Sequence, residues 1–188
     1  MPEQGDKTMA TPFRPAFELL TQYAEYHRDR RNIVTHFVGV PMIVFGVGVL
    51  LARPALEFGG VSLSLAWLVF ALAALWYLTR GELALGVAVT LANGALFGLA
   101  HPLAAGSAGR WLAWGVGFFV VGWVIQFIGH YYEGRKPAFV DDLVGLLVAP
   151  MFVVLELLAL AGLFKPLVAR IEGRVGPTVI RDLAHPAT

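Results

Sequence analysis

The residues of this chain that can do chemistry lie in two short polar stretches. The first reads Tyr26-His27-Arg28-Asp29-Arg30-Arg31-Asn32-Ile33-Val34-Thr35-His36. The second reads Gln126-Phe127-Ile128-Gly129-His130-Tyr131-Tyr132-Glu133. Both border long apolar runs. Ionisable side chains are costly to place at such an edge and read by default as a functional site. Neutral imidazole is the commonest protein nitrogen ligand for iron, zinc and copper, so His27, His36 and His130 are candidate metal ligands and catalytic residues.

Spacing sharpens this reading. His27 and His36 are nine residues apart and would face opposite sides of one straight helix at about 100° per residue. To hold one ion together, they need a helix break between them. Asn32, a favourable N-cap ahead of the apolar run that begins at Ile33, supplies one. Gln126, His130 and Glu133 share one helix face, and His-x-x-Glu sets two potential ligands on adjacent turns. Glu133 is therefore a candidate fourth ligand. Gly134 is a helix stop, and Asp141 or Asp142 would cap the next helix or orient a ligating imidazole.

A plainer reading stands beside the metal site. A single histidine at a membrane edge is ordinarily a hydrogen-bonded amphipathic residue, Glu133 has Arg135 and Lys136 for neighbours, and arginines near a span often do no more than set orientation. Three histidines brought to one side, with carboxylates beside them, favour the metal site. His101 is expected at the opposite side in a loop role, and His185 is given no role. Thr90 and Asn93 are expected to form interhelical hydrogen bonds. Glu156, a carboxyl in an apolar run, would reach the site or pair with an arginine.

The elements that must position these groups follow from composition. Of 188 residues, 57% are hydrophobic and 14% charged, whereas a soluble domain carries about 25% charged residues. A chain this short cannot bury so much apolar surface in one soluble core. The expected fold is an all-α, multi-pass membrane helix bundle. Four stretches are long enough to span: about Ile33–Leu51, Val61–Leu78, Leu83–Ala100 and Trp111–Ile128. A fifth, Leu143–Phe164, contains Pro150 and Glu156 and is expected to be broken or re-entrant. An amphipathic interfacial helix is expected within Phe13–Arg31, from Phe17, Leu20 and Ala24. The chain thus divides into an N-terminal interfacial segment (1–32), a bundle (33–164) and a polar C-terminal tail (165–188), of which Gly173–Thr188 is expected to be loosely ordered. No apolar signal core precedes Ile33, so the first span is expected to act as the insertion signal.

Four crossings return His130 to the side of His27 and His36. With the fifth region re-entrant, all of the 14 Lys and Arg except Arg53 and Arg110 fall on that side, which the positive-inside rule makes cytoplasmic. With no cysteine in the chain, disulfides and thiolate chemistry are excluded. No basic face is concentrated enough for nucleic acid.

The two stretches resemble the yeast-type 2-hydroxy fatty acid dioxygenases of fatty-acid α-oxidation, small multi-pass membrane proteins with bacterial relatives. The first block of the resemblance is carried by Tyr23, His27, Asn32, His36 and Pro41. The second is carried by Gln126, Phe127, Gly129, His130, Glu133, Pro137 and Ala138, and Asp141, Asp142, Ala149, Pro150 and Phe152 also fit. The resemblance implies an Fe(II) enzyme that uses O₂, without 2-oxoglutarate, to convert a long-chain 2-hydroxy fatty acid into the acid one carbon shorter with release of CO₂. It implies service in sphingoid-base breakdown, and a place in the inner membrane of a bacterium or the endoplasmic reticulum of a eukaryote. Arg28, Arg30 or Arg31 would hold the substrate carboxylate; Arg28, Arg31, Asn32 and Gln126 are the candidate substrate-binding residues. The alternatives are a metal-dependent membrane enzyme of other lipid chemistry, or a non-catalytic membrane scaffold or transporter. A transporter is disfavoured because no internal repeat or pair of interrupted spans is visible.

Overall fold

A computed structural model describes residues 13–137 and 143–183. The expectations placed on Ala138, Asp141, Asp142 and His185 lie outside the described residues. The described chain is mainly helical: α1 (Ala16–Glu25), α2 (Arg30–Ala52), α3 (Leu65–Leu78), α4 (Leu83–Ala100), α5 (Ala108–Glu133), α6 (Gly145–Leu160) and α7 (Lys165–Val175), with a hairpin of β1 (Ala55–Phe58) and β2 (Val61–Ser64) between α2 and α3.

Three helices are long and apolar enough to cross a membrane: α2, α5, and α4 taken with the 3₁₀ turn His101–Ala104 that extends it. A fourth crossing is available if α6 and α7 count as one broken span. The expected span over Val61–Leu78 differs from this. Its first four residues form β2, which pairs with β1 across a Gly59-Gly60 turn with positive φ at both positions, the backbone that a tight hairpin demands. The remaining 14 residues of α3 extend only about 21 Å.

The N-cap of α2 is Asp29, whose carboxylate accepts from the Arg31 N–H at 2.8 Å; Asn32, expected as the cap, lies inside the first turn. The preference for Asp and Asn is nearly equal, and the register is settled by what else Asn32 must do. At the other boundary, Gly134 ends α5 in the left-handed conformation, φ 66°.

α2 and α5 make the most extensive helix pair in the protein. Glycines let their backbones touch: a Cβ on Gly39 would lie 2.9 Å from the Gly122 carbonyl oxygen, and one on Gly46 would lie 2.8 Å from that of Gly115. Where lipid supplies no hydrophobic drive between helices, this close approach provides the packing. α3 joins α4 and α6 through polar contacts. Asn93 hydrogen-bonds Tyr77, whose hydroxyl donates to the Leu147 carbonyl at 3.0 Å. Thr90, expected to do the same, has a buried hydroxyl oxygen with no partner among the described residues.

α6 runs through Pro150 without ending; the break expected there comes after Leu160. Gly162 (φ 94°) and Phe164 (φ 53°) take left-handed backbone, which a helix cannot continue through. α7 leaves at 116° to α6 and packs on α1. The apolar face of α1, including Leu19, Leu20 and Tyr23, is buried against α6 and α7. The tail is not loose as far as residue 183. Val179 makes a parallel bridge with Asp29: its N–H donates to the Arg28 carbonyl and its carbonyl accepts from the Arg30 N–H, both at 2.8 Å.

Candidate metal centre

His27 lies in the turn between α1 and α2, His36 stands two turns into α2, and His130 sits one turn before the end of α5. The required break between the first two histidines is present, at residues 26–29. One nitrogen from each of the three imidazoles lies within 4.8 Å of the others, and all three side chains are buried.

Hydrogen bonds fix the tautomers of two of them. His27 Nδ1 donates to the Tyr23 carbonyl at 2.7 Å, and His36 Nδ1 donates to the Asn32 carbonyl at 2.8 Å. Each ring then presents a bare Nε2, and these face each other at 3.0 Å. Two lone pairs so placed repel unless a cation lies between or beside them. A backbone carbonyl on the far nitrogen is the usual support of a metal-ligating histidine, and imidazole nitrogens about 2.1 Å from one ion, at right angles, stand about 3.0 Å apart. His130 Nδ1 is buried with no partner among the described residues, while the ring makes a backbone hydrogen bond at Arg135. The donor set is thus three neutral nitrogens whose lone pairs find no hydrogen-bond donor among the described residues. It fits a divalent metal of the first transition row. For His27, burial pushes the imidazolium pKa well below its usual value, and the neighbouring His36 and His130 push it further down; the ring is neutral and free to bind.

The other candidates take different places. Glu133, fully buried, stands one layer out from the nitrogens. Its Oε2 accepts from the Asp29 N–H at 2.8 Å and from Asn32 Nδ2 at 3.1 Å, and its Oε1 lies 3.3 Å from the Arg181 guanidinium. It holds together the turn that carries His27 and the residue whose carbonyl orients His36. Asn32 Nδ2 also reaches the Tyr26 carbonyl. Arg28 is turned into the protein, donating to the carbonyls of Ala24, His27 and Gly176. Arg31 pairs with Asp29 at 2.7 Å and lies over the Tyr132 ring. His101 is exposed in the 3₁₀ turn, near the Trp67 ring. Glu156, half-buried, lies near Arg28 and Glu172 and not at the histidines.

A cavity of about 60 Å³ opens on His36 and His130 between α2, α5 and α6. His36, His130, Gln126 and Tyr23 give it its polar part, and Val40, Ile43, Trp123 and Leu146 are among its apolar walls. Of the sequence-predicted substrate residues, Gln126 lines it; Arg28, Arg31 and Asn32 do not. Tyr23 stacks on His27 with ring centres 4.1 Å apart and planes 9° apart. Burial raises its phenol pKa well above the usual range, so it stays protonated.

Sequence reasoning gave no role to Asp29 or Arg181. Asp29 is fully buried. Burial alone would raise its pKa, but hydrogen bonds from the Arg31 guanidinium and from the backbone N–H groups of Arg181 and Arg31, with the Arg31 charge, hold it at about 2. The signal for Asp29 was present locally, as an Asp ahead of an apolar helix. Arg181 left no local signal, since its partners lie far away in the chain.

The comparisons agree with this geometry. A family model described as 2-hydroxy-palmitic acid dioxygenase Mpo1-like matches residues 13–160, which contain all three histidines. The 2-hydroxy-palmitic acid dioxygenase MPO1 of Saccharomyces cerevisiae is 34% identical over 154 residues, 80% of this chain and 83% of that protein. No solved structure matches significantly. With the family model and the yeast relative each covering about four fifths of the chain, this protein belongs to the Mpo1-like family.

Proposed function

We propose that this protein is an Fe(II)-dependent membrane dioxygenase that converts long-chain 2-hydroxy fatty acids, with O₂, into the acid one carbon shorter, CO₂ and water. The four electrons lost by the two carbons nearest the carboxyl end pass to O₂, and atoms balance without 2-oxoglutarate. The observation that carries the reading is the pair of bare Nε2 atoms of His27 and His36 facing each other at 3.0 Å, beside the unpartnered His130 Nδ1. His27 and His36 would hold the metal through Nε2 and His130 through Nδ1. Iron, when bound, supplies the one-electron chemistry that lets O₂ react with an organic acid, and a Lewis-acid site for the substrate's oxygens.

The chain's own residues do the rest. The carbonyls of Tyr23 and Asn32 keep the ligating tautomers of His27 and His36. Glu133 secures the turn between α1 and α2. The apolar walls of the cavity exclude water and receive the start of the alkyl chain, with the remainder lying among the spans in the bilayer. Tyr23 keeps its proton and offers a donor at the site's edge. The charge distribution supports a cytoplasmic position for the site. Arg28, Arg31, Arg135 and Arg181 gather at the histidine end, whereas Arg53 lies over Trp111 at the far end of α2. The protein would then be a multi-pass protein of the inner membrane or the endoplasmic reticulum.

The test uses detergent-purified protein. Elemental analysis should find iron, and 2-hydroxypalmitate should provoke O₂ uptake with pentadecanoate as the product by mass spectrometry. Protein that carries no iron and consumes no O₂ on this substrate would sink the reading. A different lipid product would move it to another lipid chemistry.

A further inference from the structure

Gln126 is the candidate substrate residue that the fold brings into the cavity. It lies on α5 one turn before His130, so the two side chains share a face. The side chain is 4% exposed. It is laid across Gly39 of α2, where a Cβ would come within 3.1 Å of Gln126 Cγ and 3.3 Å of Cδ. Glycine at 39 thus makes the room in which this amide lies. Its Oε1 is buried with no hydrogen-bond partner among the described residues. A buried amide oxygen left unpaired is destabilising, and native proteins keep such atoms where a ligand or water completes them.

The chemistry of the missing partner follows from the atom. Oε1 only accepts, so its partner must donate. In the anion of a 2-hydroxy acid, the carboxylate only accepts and the alkyl chain does neither; the 2-hydroxyl is the sole donor. We propose that Gln126 Oε1 accepts a hydrogen bond from the substrate's 2-hydroxyl and so selects 2-hydroxy acids over plain fatty acids of the same length. A site built to pair with a hydroxyl rejects the analogue without it, because its own polar group is then left unsatisfied. This inference rests on the 2-hydroxy acid reading above and gives that site its selectivity.

The experiment measures binding in the absence of O₂, on metal-loaded protein in detergent. Dissociation constants for 2-hydroxypalmitate and palmitate are taken by calorimetry for wild type and Gln126→Leu. Any preference the metal itself has for the hydroxyl is common to both proteins and cancels. The expected result is a preference for 2-hydroxypalmitate that falls roughly 10- to 100-fold in the variant. The loss is confined to the hydroxylated ligand, with palmitate binding as tightly or tighter and metal content unchanged. Gln126→Met, unbranched and of similar length, serves if the leucine variant does not accumulate. An unchanged preference, an equal loss for both ligands, or loss of metal would overturn the inference. Because binding is read without turnover, the two readings fail separately. Wild type that binds selectively and never consumes O₂ contradicts the dioxygenase alone, and an active enzyme whose variant keeps its preference contradicts the role of Gln126 alone.

Discussion

The two ends of the α2–α5 pair share one glycine seam and differ in what closes over them. At one end, α1, α6 and the segment 176–183 converge, and Asp29, Asn32, Glu133 and the three histidines are all buried. At the other, the β1–β2 hairpin and the 3₁₀ turn stand open, with Arg53 and His101 exposed and each meeting a single tryptophan ring, Trp111 and Trp67. Burial forces polar groups to find partners, so the closed end is a network and the open end a set of separate contacts. The closed end is nevertheless incomplete. Asn32 Oδ1, Gln126 Oε1 and His130 Nδ1 are buried there without a hydrogen bond among the described residues, while Glu133 Oε1 is met by the Arg181 guanidinium. Buried polar atoms that the protein leaves unpaired beside three imidazoles separate a candidate binding site from a merely well-packed corner.

The widest contrast comes from the histidines. His36→Ala or His130→Ala should lower metal content and O₂ uptake by more than about 100-fold, since even a residue that only supports a ligand is commonly worth 10- to 100-fold. His101→Ala should leave both unchanged. Metal analysis of the three purified variants checks this, and equal behaviour of His36→Ala and His101→Ala would dissolve the distinction between the ends.

A second contrast lies within α5. A Cβ on Gly129 would collide with Thr35 Oγ1 and approach Asn32 Oδ1 to 2.5 Å, whereas one on Gly117 meets nothing within 4 Å. Gly129→Ala should destabilise by about 1–3 kcal/mol through overpacking and weaken metal binding, because it pushes apart the helices that carry His36 and His130. Gly117→Ala should be neutral or stabilise by about 0.5–1 kcal/mol from helix propensity alone. Thermal unfolding in detergent reads both. A harmless alanine at 129 would mean that the seam does not set the distance between the histidines.

The convergence of His27, His36 and His130 on one side was expected from counting four crossings. The structure brings the three together, but three helices rather than four are long and apolar enough to cross by themselves, and the 14 residues of α3 fall short of a span. The helix break was legible in kind but not in place. The sequence offers Asp29 and Asn32 as nearly equivalent caps, and the choice turns on Glu133, about a hundred residues away, which takes the Asn32 amide for itself. The ordered tail was illegible for a related reason. Its hold on the site is made by backbone groups of Gly176 and Val179 and by one arginine, which carry no periodicity to read.

That tail permits a subtler test. Arg181 lies 3.3 Å from Glu133, and its N–H donates to Asp29 at 2.9 Å; Arg170, also near the C-terminus, lies over the Phe17 ring. Arg181→Ala should weaken metal affinity roughly 10-fold, with activity restored by added metal, because it loosens support for the His27 turn without touching a ligand. Arg170→Ala should change affinity little. Loss of activity that excess metal does not restore would show that Arg181 acts elsewhere.

The smallest effect expected is an acid limb in stability owed to Asp29. Its carboxyl is held at about 2 in the folded protein, below its ordinary 3.8. The unfolded chain therefore takes up this proton first, at about pH 4, while the folded protein resists until about pH 2. The contribution is whole above about pH 4 and drains away as pH falls from there toward 2. Asp29→Asn keeps a capping side chain and cannot ionise. The difference in unfolding temperature between wild type and Asp29→Asn should be constant from about pH 5 to 7 and shrink on acidification through that window. The open end contributes nothing to this difference, because its groups are the same in both proteins. A gap that stays constant down to about pH 3 would mean that Asp29 is held by shape rather than by charge.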